Sequence, residues 1–148
     1  MESIFLMFGC RGDYTHKVKC YPGPPFDEMG LCYSSITMSL GSIEYGSSYV
    51  LKKPVMCIHL REFEAPMCGA VHLANRFAEL REYFEEDKEM LFYGLEEELL
   101  DKVRYYLKPA RDSLRDEIRQ RARRRAESDH TWTKRFEKIW NLLGLSIR

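Results

Sequence analysis

The hydrophobic period of this chain changes near residue 69, and the two halves must therefore build different kinds of element. Before the change, apolar and polar side chains alternate in short runs. Tyr14, His16, Val18 and Cys20 oppose Thr15, Lys17, Lys19 and Tyr21, and Ile36, Met38 and Leu40 oppose Ser35, Thr37 and Ser39. Such alternation is the pattern of a strand with one buried face. "SIFLMFG" and "PVMCIHL" add apolar runs of strand length, "CRGD" supplies turn chemistry, and "PGPPFDEMG" is a loop because proline cannot donate to a ladder. Arg11-Gly12-Asp13 is read as part of that turn.

After the change the period is 3.6. Leu73, Phe77, Leu80 and Phe84 form one stripe, and Phe92, Leu95, Leu99, Val103 and Tyr106 a second. Pro109 suits the first turn of a third helix carrying Leu114 and Ile118. Trp132, Phe136, Ile139, Trp140 and Leu143 make a fourth, with Thr131 as N-cap and Gly144 just past its end. The expected class is α+β: an N-terminal antiparallel sheet of four or five strands within residues 1–66, then about four helices within 67–148, the last amphipathic. A chain of 148 residues suits a single domain with a hydrophobic core of its own.

No apolar run reaches the roughly 18 residues of a membrane-spanning helix, and Glu2 stands where a signal peptide carries lysine or arginine. The expectation is an intracellular chain, cytoplasmic or nuclear, without a transmembrane segment. Five cysteines at irregular spacing argue for reduced thiols rather than a disulfide framework.

The formal net charge is zero, but it is unevenly spread. Residues 1–68 sum to −1, 69–100 to −6 and 101–148 to +7. Either the basic end meets an anionic partner, or an acidic element packs on a basic one within the fold. The basic end centres on "RDSLRDEIRQRARRRAE". There Arg111, Arg115, Arg119 and Arg123 recur every fourth residue, and Arg121, Arg124 and Arg125 widen the charge. Seven guanidiniums on one helix could follow a phosphate backbone, while Asp112, Asp116 and Glu117 could instead pair with them along the helix.

Three further patterns bear on chemistry. Cys57-x-His59 and Cys68-x-x-x-His72 place two pairs of soft donors on an expected strand and an expected helix, and zinc is the metal such a Cys2His2 set would take. A fold of this size needs no cofactor. Cys68, after Pro66 at an expected helix start, could be a thiolate nucleophile with His59 or His130 as base. The stripe of Trp132, Phe136, Ile139 and Trp140, flanked by Lys134, Arg135 and Lys138, packs on its own sheet or is offered to a partner protein or membrane surface. The functional expectation is a small non-enzymatic regulatory or accessory binding protein of viral or mobile-element style, engaging RNA, DNA or another anionic partner through the arginine helix. The alternatives are an adaptor led by the Trp132 stripe and a cysteine-dependent hydrolase led by Cys68. Oligomeric state is not legible.

Overall fold

A computed structural model describes the backbone of residues 5–8, 18–21, 24–42, 52 and 55–145, with side chains from residue 24 onward. Strands β1 (Phe5–Phe8) and β2 (Val18–Tyr21) pair with each other in parallel, Phe5 opposite Val18. This parallel pairing departs from the antiparallel sheet expected within residues 1–66. The Arg11-Gly12-Asp13 turn lies outside the described residues.

The stretch expected to open the next hairpin is helical. Pro25, with its φ fixed near the helical value, starts a 3-10 turn at Phe26–Glu28 in which Glu28 N–H bonds Pro25 O at 3.0 Å. That turn runs into α1 (Met29–Ser35), where Ser34 and Ser35 bond back to the carbonyls of Leu31 and Cys32. Only Met38–Leu40 remains extended, as β3. "PVMCIHL" gives no named strand; Met56 alone makes a bridge there.

From here strands and helices alternate: α2 (Arg61–Met67), β4 (Val71–Asn75), α3 (Leu80–Tyr83), β5 (Leu91–Tyr93) and α4 (Glu96–Tyr106). A 3-10 turn at Pro109–Arg111 leads to α5 (Asp112–Asp129), and α6 (Trp132–Leu142) follows. Strands β3, β4 and β5 form a three-stranded sheet in that spatial order, parallel throughout, with Leu40 opposite Leu73 and Leu73 opposite Leu91. The described architecture is α/β with a parallel sheet, and the expected antiparallel sheet followed by four helices is overturned.

The stripe Leu73–Phe84 shows why. Ala70, Val71, His72, Leu73 and Ala74 are all buried, so the residues around Leu73 form a central strand covered on both faces. Such a strand loses its alternation and reads as a plain apolar run. Residues alternate across its two faces. Val71 and Leu73 pack with Leu91, Tyr106 and Ile118, while Ala74 packs with Phe63, Leu80, Phe84, Phe92 and Ala126. Helices α2 and α3 thus serve one face, α4 the other, and α5 contributes to both clusters. Gly69, at φ +81°, takes the left-handed position that ends α2 and turns the chain into β4.

Helix α6 begins and ends as the sequence leads one to expect. Thr131 Oγ1 accepts from Lys134 N–H at 3.2 Å, and Gly144 adopts a left-handed φ just beyond. Its apolar stripe contributes no buried residue: Trp132 is 60% exposed, Phe136 49%, Ile139 46% and Trp140 37%. One contact it makes is polar on apolar, with the Arg135 guanidinium 4.2 Å from the Phe63 ring. Among the described residues no helix is long and apolar enough to cross a membrane.

Candidate functional site

In an open parallel sheet every strand ends on the same edge, and the loops leaving that edge frame a crevice. Here the edge is made by Gly41 after β3, Asn75 and Arg76 at the end of β4, and Tyr93 and Gly94 at the end of β5. The first three strand ends are joined by a polar row. The Tyr93 hydroxyl donates to Gly41 O at 3.4 Å and also shares a hydrogen bond with the Asn75 side chain. Burial raises the Tyr93 phenol above its ordinary range, and Asn75 lowers it partway back. Tyr93 is therefore a neutral donor at physiological pH.

On the β5 side stands a charged brace. The Arg76 guanidinium holds Glu98 with both terminal nitrogens, at 2.5 and 3.0 Å, and Glu86 Oε1 at 2.8 and 3.0 Å. Glu98 also accepts from Gly94 N–H at 2.8 Å. Arg76 first, and the Gly94 amide second, hold the Glu98 carboxyl down at about 2. The same contacts raise Arg76 above its usual value. Arg81 reaches the other oxygen of Glu86 at 3.2 Å, and Lys102 bonds Asp87 at 2.7 Å. Three cations meet three carboxylates, so the brace is neutral, and it fixes the start of α4 to the ends of β4 and β5. The Arg76 side chain keeps a third of its surface exposed toward solvent.

On the β3 side, α2 carries Glu62 under the edge. Its Oε2 accepts from His59 N–H at 2.8 Å, satisfying a donor at the start of the helix as a capping side chain does. His72 projects from β4 toward the same carboxylate, 3.8 Å from Oε1.

The residues singled out by sequence fall elsewhere. Cys57 and His59 precede α2 and Cys68 follows it; seven helical residues at 1.5 Å each separate those ends by about 10 Å. His72 is on a strand facing Glu62, and among the described residues no three of His, Cys, Asp and Glu gather to hold a metal.

Cys68 is not at a helix start. Its N–H bonds Glu64 O at the C-terminal end of α2, and burial followed by the charge of Glu64 raises its thiol above the ordinary value, so it is protonated at neutral pH. The two conditions for an activated thiolate are both missing, which corrects the hydrolase reading. His130 lies apart, its Nε2 against Tyr83 O at 3.0 Å among the rings of Phe63, Tyr83 and Phe84.

The arginines are mostly engaged within the fold. Arg115 is buried and bonds the carbonyls of Tyr106 and Lys108 and the carboxylate of Asp112. Arg119 bonds Asp116 and the carbonyls of Ile36 and Thr37, and Arg111 stacks 4.2 Å over Tyr105. Arg121 pairs with Glu117, Arg123 with Glu127, and Arg125 with Glu89 and Asp129. The acidic 69–100 segment meets the basic helix through Glu89. Arg124 is exposed and lines a shallow depression of about 630 Å³ with Arg121, Arg125, Glu89, Glu127 and Ser128.

A parallel sheet with helices on both faces and a polar carboxyl edge defines an open α/β protein of the kind that seats its ligand at that edge. The chain belongs to the glycosyl transferase-like family, whose model matches residues 6–141. No curated protein matches it. Membership of that family overturns the expectation of a non-enzymatic, nucleic-acid-binding accessory protein, and with it the adaptor and hydrolase alternatives.

Sequence reasoning missed Gly41, Glu62, Arg76 and Glu98. A signal was present only for the strand ends at Arg76 and Gly94. "GAVHLANR" is too short for a helix and bounded by glycine and arginine, and "LFYG" repeats the form of a buried strand closed by a turn residue.

Proposed function

We propose that this chain acts in glycosyl transfer, moving a sugar from an activated donor to an acceptor, with the donor seated at the carboxyl edge of the β3–β4–β5 sheet. The family match over residues 6–141 carries the reading. The edge geometry supports it. Glycosyl transfer breaks the bond between an anomeric carbon and its leaving group, forms a bond from that carbon to an acceptor oxygen, and sends the acceptor proton to a base. A phosphate ester is a suitable leaving group at neutral pH, and such donors need neutral donors and fixed cations around them. Tyr93 offers the former on turning its one hydroxyl hydrogen from the long 3.4 Å contact with Gly41 O. Arg76, held rigid by Glu86 and Glu98, offers a fixed guanidinium whose charge those carboxylates offset, without rotamer freedom to lose on binding.

The test is a panel of nucleoside-diphosphate sugars, scored by calorimetric binding to the chain and by release of the nucleoside diphosphate in the presence of mixed sugar acceptors. The expected result is binding of at least one donor at micromolar to millimolar concentration, weakened about tenfold by Arg76→Gln. A folded chain that binds none of the panel and releases no nucleoside diphosphate overturns the reading.

A further inference from the structure

Beneath Gly41 lie two ionisable side chains that neither the polar row nor the charged brace uses. Glu62 and His72 are both wholly buried. Among the described residues Glu62 Oε1 and both ring nitrogens of His72 have no hydrogen-bond partner, and the 3.8 Å between Oε1 and Nε2 is too long to be a hydrogen bond. Arg61 approaches the same oxygen, its Nε at 3.7 Å. The other oxygen, Oε2, is committed to His59 N–H. A Cβ built on Gly41 would stand 2.7 Å from Glu62 Oε1 and 2.7 Å from His72 Nε2. The two side chains therefore converge on the one place that glycine alone leaves open.

Burying polar atoms without partners opposes folding, and apolar residues of similar size at 62 and 72 would avoid it. The arrangement gains something in return. One carboxylate lies among three segments: it accepts from His59 before α2, stands 3.8 Å from His72 of β4, and fills the space that a Cβ at Gly41 after β3 would need. Hydrophobic packing is tolerant of small shifts, whereas the hydrogen bond from His59 N–H sets the direction of this carboxylate.

We infer that Glu62, backed by His72 and fitted under Gly41, is a positioning residue that fixes the β3 end of the donor site. The inference rests on the reading of the carboxyl edge as that site. Glu62 is shielded from the donor, so it acts through the backbone of Gly41 and His59 and through no contact of its own.

The experiment measures KM and kcat for the nucleoside-diphosphate sugar that the wild-type chain turns over fastest, in Glu62→Ala, Glu62→Gln and Gly41→Ala, with a melting curve for each. Loss of positioning weakens ground state and transition state alike, so KM is expected to rise at least tenfold in Glu62→Ala with kcat within about twofold. Glu62→Gln, which keeps the volume and an acceptor for His59 N–H, is expected to recover KM to within about threefold. Gly41→Ala, pressing on the same carboxylate from the other side, is expected to raise KM as Glu62→Ala does and serves if that variant does not fold. An unchanged KM in folded Glu62→Ala or Gly41→Ala, with the wild type active, overturns the positioning role alone. A folded wild-type chain that takes no donor removes the donor-site reading and the positioning role together.

Discussion

Single side chains at the carboxyl edge are held by charge, and charge responds to pH in a direction that can be worked out. The Glu98 carboxyl sits at about 2 in the folded chain, below an ordinary value of 4.5, because Arg76 and then the Gly94 amide favour its ionised form. Its contribution to stability is thus complete above about 4.5 and is lost as pH falls toward 2. Glu98→Gln removes that contribution at every pH above the window. The melting temperature of the wild type should exceed that of Glu98→Gln at pH 7, and the gap should close progressively between pH 4.5 and 2. A gap constant across that range would show that Glu98 acts through its shape and not its charge. The effect is modest, because the side chain is one-third exposed and surface ion pairs are screened by solvent. Its consequence is local: in acid, the start of α4 loses its tie to Arg76 and Gly94.

At the scale of elements, burial separates what holds the fold from what merely lies on it. Phe92 of β5 is fully buried in the cluster with Phe63, Leu80 and Phe84, whereas Ile139 of α6 is nearly half exposed on a helix with no buried residue. Phe92→Ala should cost about 3–5 kcal/mol in denaturant unfolding. Ile139→Ser should cost under about 1 kcal/mol, since little of its side chain leaves water on folding. Comparable losses at the two sites would mean that α6 is packed in solution. The same contrast explains what could be read from the sequence. The cap and stripe of α6 and the later part of the α4 stripe were legible because they belong to amphipathic helices: Thr131 and Leu99 sit where their spacing puts them, whereas Phe92, expected on the same helix as Leu99, belongs to β5, and Leu95 only precedes α4. Strand β4 was not legible, because burial on both faces erased its alternation and left Leu73 in apparent helical step with Phe77 and Phe84. The turn from Pro25 into α1 hid a helix in serines that suit either state. Of the edge, Arg76 and Glu98 lie 22 residues apart and Gly41 and Tyr93 lie 52 apart. No local pattern links residues that only strand pairing brings together.

Across the whole molecule, two places could attract a phosphate-bearing donor, and their electrostatics differ. The depression on α5 is broad and rich in arginine, yet Arg121 and Arg125 already face Glu117, Glu89 and Asp129, which leaves Arg124 as its main unneutralised cation among the described residues. An open surface at high dielectric holds a single ion pair weakly, on the order of 1 kcal/mol. The carboxyl edge combines hydrogen-bond donors from separate strands with a guanidinium that cannot swing away. One ion pair, Arg125 with Glu89, ties the acidic 69–100 segment to the basic helix, and the proposed reading puts the donor at the edge. Hydrogen exchange with saturating donor should slow at Gly41, Ser42, Arg76 and Gly94 and stay unchanged from Arg121 to Ser128. A donor at 100 times its Kd should add about 2.7 kcal/mol of stability, seen as a rise in melting temperature, in the wild type and equally in Arg124→Gln. Protection along α5, or loss of the rise in Arg124→Gln, would move the donor site to the depression.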